Sequence, residues 1–201
     1  MSNKRPHVLG IDDAPFEKGQ VEAVPMVGVM MEGATLVEGV ALGAFPVDGA
    51  GATEYLAEWV AGLRWYAALQ AVVLGGITIA GLGLVDLIAL AESLGLPVLA
   101  ATRRDTSTSE LAHALRAAGL TDRLALLDRT PPAHRLEDGL YVTVAGTDAP
   151  TAERLIRATL NKAMLPEPLR IAHLIGAALV RGASRGRVCG VCFGVFVLLF
   201  F

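Results

Sequence analysis

Two segments at opposite ends of the 201-residue chain carry the residue types that do chemistry. The first is His7-Val8-Leu9-Gly10-Ile11, which runs straight into Asp12-Asp13. It reads as a short buried strand with two carboxylates at its end. The second is residues 165–181, LPEPLRIAHLIGAALVR. Pro166 and Pro168 open it, and a helix is expected to begin near Pro168, where a missing N–H costs little. On that helix Arg170, His173 and Ala177 fall about one turn apart and share a face. Ile171, Leu174, Ile175 and Ala178 make a neighbouring apolar stripe. One histidine therefore rides on the edge of a helix built to be buried, and the strand-end aspartates are its expected partner. Carboxylate oxygens suit hard divalent cations, but such ions take several, so one aspartate and one histidine make a weak Mg²⁺ site. Asp48 and Asp86 also lie beside expected strand ends, although Asp86 stands where it would cap the helix it starts. The structural alternative for Asp12 is a turn cap.

The intervening elements must bring these segments together. Residues 24–31 and 35–47 read as two strands joined by Glu32-Gly33, an antiparallel hairpin. Thr53 is expected to cap a helix with Glu54 in its first turn, because Tyr55, Leu56, Trp59, Val60 and Leu63 repeat at helical spacing. Residues 70–74 form a short apolar strand suited to the centre of a sheet, broken by Gly75-Gly76. A helix over 85–94, a Gly95 C-cap and a strand over 97–101 make a parallel crossover. Further helices are expected over 109–118 and 151–162, and further strands over 123–128 and 140–145. A hairpin followed by alternating helices and strands is a mixed α/β sheet flanked by helices.

Apolar residues make up 53% of the chain and charged ones only 18%, which argues for a packed core and against disorder. One domain over 1–187 is expected, followed by an apolar tail, VCGVCFGVFVLLFF, over 188–201, which reads as an unusual extension or a reading-frame artefact, or else as a segment that packs on the domain or on a partner. The net charge of −3 gives no global field for nucleic acid. Residues 153–187 nevertheless hold seven basic side chains against two acidic ones. They read either as a surface for a phosphate backbone or as a solvated helix face. Two cysteines exclude a disulfide framework, and Cys189-x-x-Cys192 lacks the further ligands of a zinc site. No secretory leader is visible, so the cytoplasm is the expected compartment. The uncharged run over 67–85 is long enough to cross a bilayer, but its glycines and Gln70 suit a strand and turn, and the tail is too short for a simple span. No membrane span is expected. Residues 75–83, GGITIAGLG, lack the G-x-G-x-x-G of a dinucleotide site. Their backbone N–H groups could still meet a phosphate. His113 and His134 stand alone and read as surface residues.

HVLGIDDAPF and LPEPLRIAHLIGAALVRG together resemble the domain of unknown function 99 family, also called uncharacterised protein family 0215, small microbial proteins. The "G-I-D" strand and "L-P-E-P-L-R-x-A-H" helix also resemble endonuclease V. The resemblance covers residues 7–187 and implies a ribonuclease H-like mixed sheet flanked by helices. It implies a nuclease acting on DNA or RNA with Mg²⁺ or Mn²⁺, the metal activating water and stabilising the in-line transition state. By that resemblance Asp12 takes the place of the first metal-binding aspartate, and His173 takes a last-helix position that carries an acidic residue or histidine. Candidate metal ligands are Asp12, Asp13 and Asp86, with Asp13 expected to point the opposite way from Asp12 because strand side chains alternate. Arg103 or Arg104 stands for the family's lysine, and Arg103, Arg104 and Arg170 are the expected phosphate contacts. The pattern also departs from endonuclease V. Gly75-Gly76 replaces its second aspartate, its strand glutamate has no counterpart (Glu38 lies nearby but in no matching motif), and its tyrosine wedge is absent. A catalytic nuclease with Asp12 and His173 at its centre therefore stands beside two rivals. One is a non-catalytic nucleic-acid-binding protein that keeps the fold, and the other is a nucleotide-binding protein with residues 75–83 as its pocket floor.

Overall fold

A computed structural model describes residues 5–103, 108–136, 139–161 and 164–185. Arg104 and the apolar tail with Cys189 and Cys192 lie outside them. The chain builds β1 (His7–Asp13), then the long antiparallel strands β2 (Ala23–Glu32) and β3 (Leu36–Pro46). Next come α1 (Ala52–Ala61), β4 (Ala71–Leu74), the two-residue strands β5 (Thr78–Ile79) and β6 (Gly83–Leu84), and α2 (Leu87–Leu94). β7 (Val98–Thr102), α3 (Thr108–Ala117), α4 (Leu124–Asp128), β8 (His134–Arg135), β9 (Tyr141–Ala145), α5 (Ala149–Thr159) and α6 (Glu167–Arg181) complete it.

Seven strands make one mixed sheet in the order β3-β2-β1-β4-β7-β9-β8. β1, β4 and β7 are parallel neighbours at its centre, and the β1–β2–β3 meander and the β7–β9–β8 edge are antiparallel. β4 is apolar and buried throughout, as a strand covered on both faces must be. On one face Leu9, Ile11, Met26 and Met30 pack with Leu56 and Val60 of α1 and Leu87 and Leu90 of α2. On the other, Val8, Val73 and Leu99 meet Ile156 of α5 and Leu169 of α6, while Val27, Val29 and Met31 lie under Ala172. Sheet alternation thus sends neighbouring residues of β1 to opposite layers, which decides what each aspartate can touch.

Two sequence expectations are corrected. Residues 123–128 are not a strand: Thr121–Arg123 is a 3-10 turn that continues into α4. The short apolar run LALLD fits either period, and here it packs with Leu111 and Leu115 of α3 against Leu82 and Leu84 of the β5–β6 hairpin. Thr53 does not cap α1. The helix starts after Gly51, which takes a left-handed conformation with φ 74°, and the Thr53 hydroxyl instead accepts the Asp86 N–H at 2.9 Å. The hairpin, the β4–α2–β7 crossover and the left-handed Gly95 cap stand as the sequence predicts. His113 and His134 are exposed.

Candidate functional site

Gly10 is the reason β1 and α6 meet so closely. A Cβ there would sit 2.5 Å from the Leu169 backbone nitrogen and strike the Pro168 backbone. Two residues on, Asp12 points to the same face, since side chains repeat every second residue. One turn along α6, His173 faces it. The Asp12 carboxylate Oδ2 lies 3.0 Å from His173 Nδ1, across 161 residues of sequence. A second close approach, Gly176 against Ala14, keeps the helix on the strand end. Asp12 is 7% exposed and His173 9%, so water screens their interaction poorly. Burial pushes the Asp12 carboxyl up, and the bond and charge of His173 oppose that rise. In the first turn of α6, Glu167 is buried and accepts two N–H bonds from Arg170, at 2.8 and 2.6 Å.

Asp13 faces the other layer, as alternation predicts. Its Oδ2 accepts the Ala80 N–H at 3.1 Å, and burial together with the neighbouring Asp12 charge pushes its carboxyl up to about 7. The loop it holds is fastened at further points. Asp48 Oδ1 accepts the Leu82 N–H at 2.9 Å, and the buried Arg123 donates to the carbonyls of Leu82 and Asp48. Ala80 and Asp48 both sit at positive φ, 47° and 51°, a conformation that costs a side-chain-bearing residue energy unless its surroundings impose it. Here the imposing partners are these hydrogen bonds.

Of the residues singled out in the sequence, Asp12 and His173 come together. Asp13 lies on the opposite face of the same strand end. Asp86 is engaged elsewhere: it caps α2 through the N–H groups of Ile88 and Ala89 at 3.0 Å each, and pairs with Arg129. Arg103 is exposed at the end of β7, and Arg170 is held by Glu167. The β1–β4 register pairs Ile11 with Leu74, so Gly75 follows alongside Asp12 and brings no side chain. Glu38 is at the opposite end of β1. There His7 Nε2 lies 2.8 Å from Glu38 Oε2, and ligand atoms of His7, Glu32 and Glu38 fall within 4.8 Å of one another. An open cleft of about 520 Å³ is lined by these three with Arg5, Ala68 and Gln70. This second constellation was missed in the sequence. Its only signal was the hairpin register, which sets His7 opposite Glu32.

The seven-stranded mixed sheet flanked by helices is similar in fold to endonuclease V. A Ciona intestinalis endonuclease V solved with a 24mer DNA containing an inosine followed by a ribo-adenosine superposes with a TM-score of 0.53 at 11% identity, over 83% of this chain and 82% of that one. The chain belongs to the endonuclease dU family, whose pattern matches residues 4–180. A UPF0215 protein of Methanothermobacter thermautotrophicus is 36% identical over 183 residues, covering 89% of this chain and 90% of the relative. A solved protein of unknown function from Archaeoglobus fulgidus superposes with a TM-score of 0.81 at 30% identity, over 88% of this chain and 99% of that one.

Proposed function

We propose that this chain is a divalent-metal-dependent endonuclease, with Asp12 and His173 at its catalytic centre and DNA containing deoxyuridine as its first substrate to test. The observation that carries the reading is the buried Asp12–His173 pair at the carboxyl end of β1. The family's description supplies the base, and the DNA-bound relative the class of polymer.

The donor set fits Mg²⁺ or Mn²⁺ in a particular way. Mg²⁺ keeps much of its water and is commonly held by one or two carboxylates together with substrate phosphates. Asp12 is such an anchor. When bound, the ion would polarise the scissile phosphate and ease water ionisation. With Nδ1 donating to Asp12, the tautomer of His173 that presents Nε2 as an acceptor is favoured, which suits it to take or relay a proton. Arg170, oriented by the buried Glu167, and Arg103 at the end of β7 are the phosphate contacts in this reading. Asp13 acts by tethering Ala80 rather than by touching the ion.

Cleavage of labelled deoxyuridine-containing duplex with Mn²⁺ tests it. Wild type is expected to cut, while Asp12→Asn and His173→Ala lose at least about 100-fold in rate, the span of a lost acid–base group. Equal cutting by Asp12→Asn and wild type would overturn the reading. One observation favours the rival, a binding protein on a nuclease fold: Gly75 stands where a second carboxylate would be useful. That rival predicts salt-sensitive DNA binding with no cleavage by any variant.

A further inference from the structure

We infer that the amino end of β1 carries a second cation site, for an ion of the Zn²⁺ class held by His7, Glu32 and Glu38, separate from the Asp12–His173 centre. The three ligands come from three strands. The β1–β2 register sets His7 directly opposite Glu32. Cross-strand partners point to one face, here the face that Leu9 and Ile11 turn toward α1. Glu38 joins them through an irregularity in β3. The register shifts between Met30, which pairs with Gly39, and Met31, which pairs with Val37, so Glu38 is an extra residue opposite no residue of β2. A bulge of this kind re-aims a side chain. It brings Glu38 Oε2 to 2.8 Å from His7 Nε2, and ligand atoms of all three residues lie within 4.8 Å of one another. The Gln70 side chain, just ahead of β4, accepts the His7 backbone N–H at 3.0 Å and fixes the strand end that carries the imidazole.

The donor set selects the ion. One imidazole nitrogen and two carboxylate oxygens make a set of three protein ligands, the kind that holds Zn²⁺ with a fourth position left open. Imidazole suits Zn²⁺, and sites of nitrogen and oxygen bind it more tightly than Mn²⁺. The ion here and the Mg²⁺ or Mn²⁺ read at Asp12 are therefore separable. The three ligands line an open cleft of about 520 Å³, which leaves the fourth position to water or a small ligand. Little motion is needed. Two donors at about 2.0–2.1 Å from a tetrahedral ion stand roughly 3.3 Å apart, only about half an ångström wider than the His7–Glu38 contact. Both side chains are about a third exposed and free to open by that much. Arg5, which also lines the cleft, is held aside: it donates to Thr35 Oγ1 at 3.1 Å, and its stem lies against Gly33 of the β2–β3 turn. The bound ion would tie β1 to the β2–β3 hairpin.

Zn²⁺ titration by calorimetry tests the site on the full chain carrying Asp12→Asn, Cys189→Ser and Cys192→Ser, so that neither the other centre nor the two thiols supply a charged ligand. About one Zn²⁺ per chain is expected, with a rise in melting temperature as the ion loads the folded state. Adding His7→Ala, Glu32→Gln or Glu38→Gln should each weaken binding by more than about 10-fold, the lower bound for losing even an outer-shell partner, and remove that rise. Circular dichroism checks that each variant is folded. No Zn²⁺ binding by the parent chain, or binding unchanged by His7→Ala, would overturn the proposal. Loss in His7→Ala but in neither glutamate variant would overturn it as well, by reducing the site to a surface imidazole. The readout is binding with the Asp12 charge already removed, so the outcome is independent of the nuclease reading.

Discussion

The two ends of β1 carry the same ingredients, a histidine and carboxylates, in opposite settings. At the carboxyl end Asp12 and His173 are joined across the whole sequence and enclosed by α6. At the amino end His7 and Glu38 make a shorter contact, 2.8 Å against 3.0 Å, yet each side chain is about a third exposed. Distance alone would rank the second pair higher. Burial reverses the order, because a solvated ion pair contributes little and a desolvated one is costly to break. The first pair is held by close backbone packing at Gly10 and Gly176. The second rests on side chains that project from a hairpin into an open cleft.

The sharpest way to break this contrast is Gly10→Ala. The added carbon meets backbone on α6, which cannot rotate away as a side chain would. A loss of about 3 kcal/mol or more is expected, at the upper end of overpacking costs, with activity falling as His173 leaves Asp12. Chemical denaturation measures it, and a change below 1 kcal/mol would refute the packing account. Gly176→Ala, facing the Ala14 Cα at 3.0 Å, should cost less, about 1 to 2 kcal/mol.

Asp13→Asn probes the electrostatics of the enclosed end. An unfolded aspartate ionises near pH 3.9, whereas folded Asp13 ionises near 7. Between those values the folded state holds a proton that the unfolded state has lost, so wild-type stability falls as pH rises through that window. The asparagine keeps the oxygen that accepts from Ala80 and has no proton to lose. Its melting temperature relative to wild type should climb from pH 4 to 7 and level off above. About 1 to 2 kcal/mol is expected at the plateau, after discounting for the partial exposure of Asp13. A difference that is flat with pH would contradict the assignment. At the open end, Glu38→Gln should change stability by less than about 1 kcal/mol.

Much of the fold was legible in the sequence because the apolar periods were clear. The hairpin, the buried β4 and the crossover to β7 each follow from patterns within a few residues of one another. The long-range pairing of Asp12 with His173 was legible only because both segments carry distinctive surroundings, a strand running into aspartates and a proline-opened helix. What remained hidden depends on contacts that no local pattern encodes. The Thr53 hydroxyl is taken by the Asp86 N–H, residues 124–128 become a helix because α3 and the β5–β6 hairpin offer a surface, and His7, Glu32 and Glu38 converge through register. The Asp86 carboxylate, a candidate ligand by its position, is drawn off by its own helix and Arg129.

The most direct test of the central claim sets the two ends against each other for a cation. Mn²⁺ binding is measured by calorimetry on wild type, Asp12→Ala and Glu38→Ala, with and without a non-cleavable phosphodiester DNA. The account predicts binding that disappears in Asp12→Ala and survives in Glu38→Ala. Binding that survives in Asp12→Ala and disappears in Glu38→Ala would move the metal to the far end of β1 and contradict it.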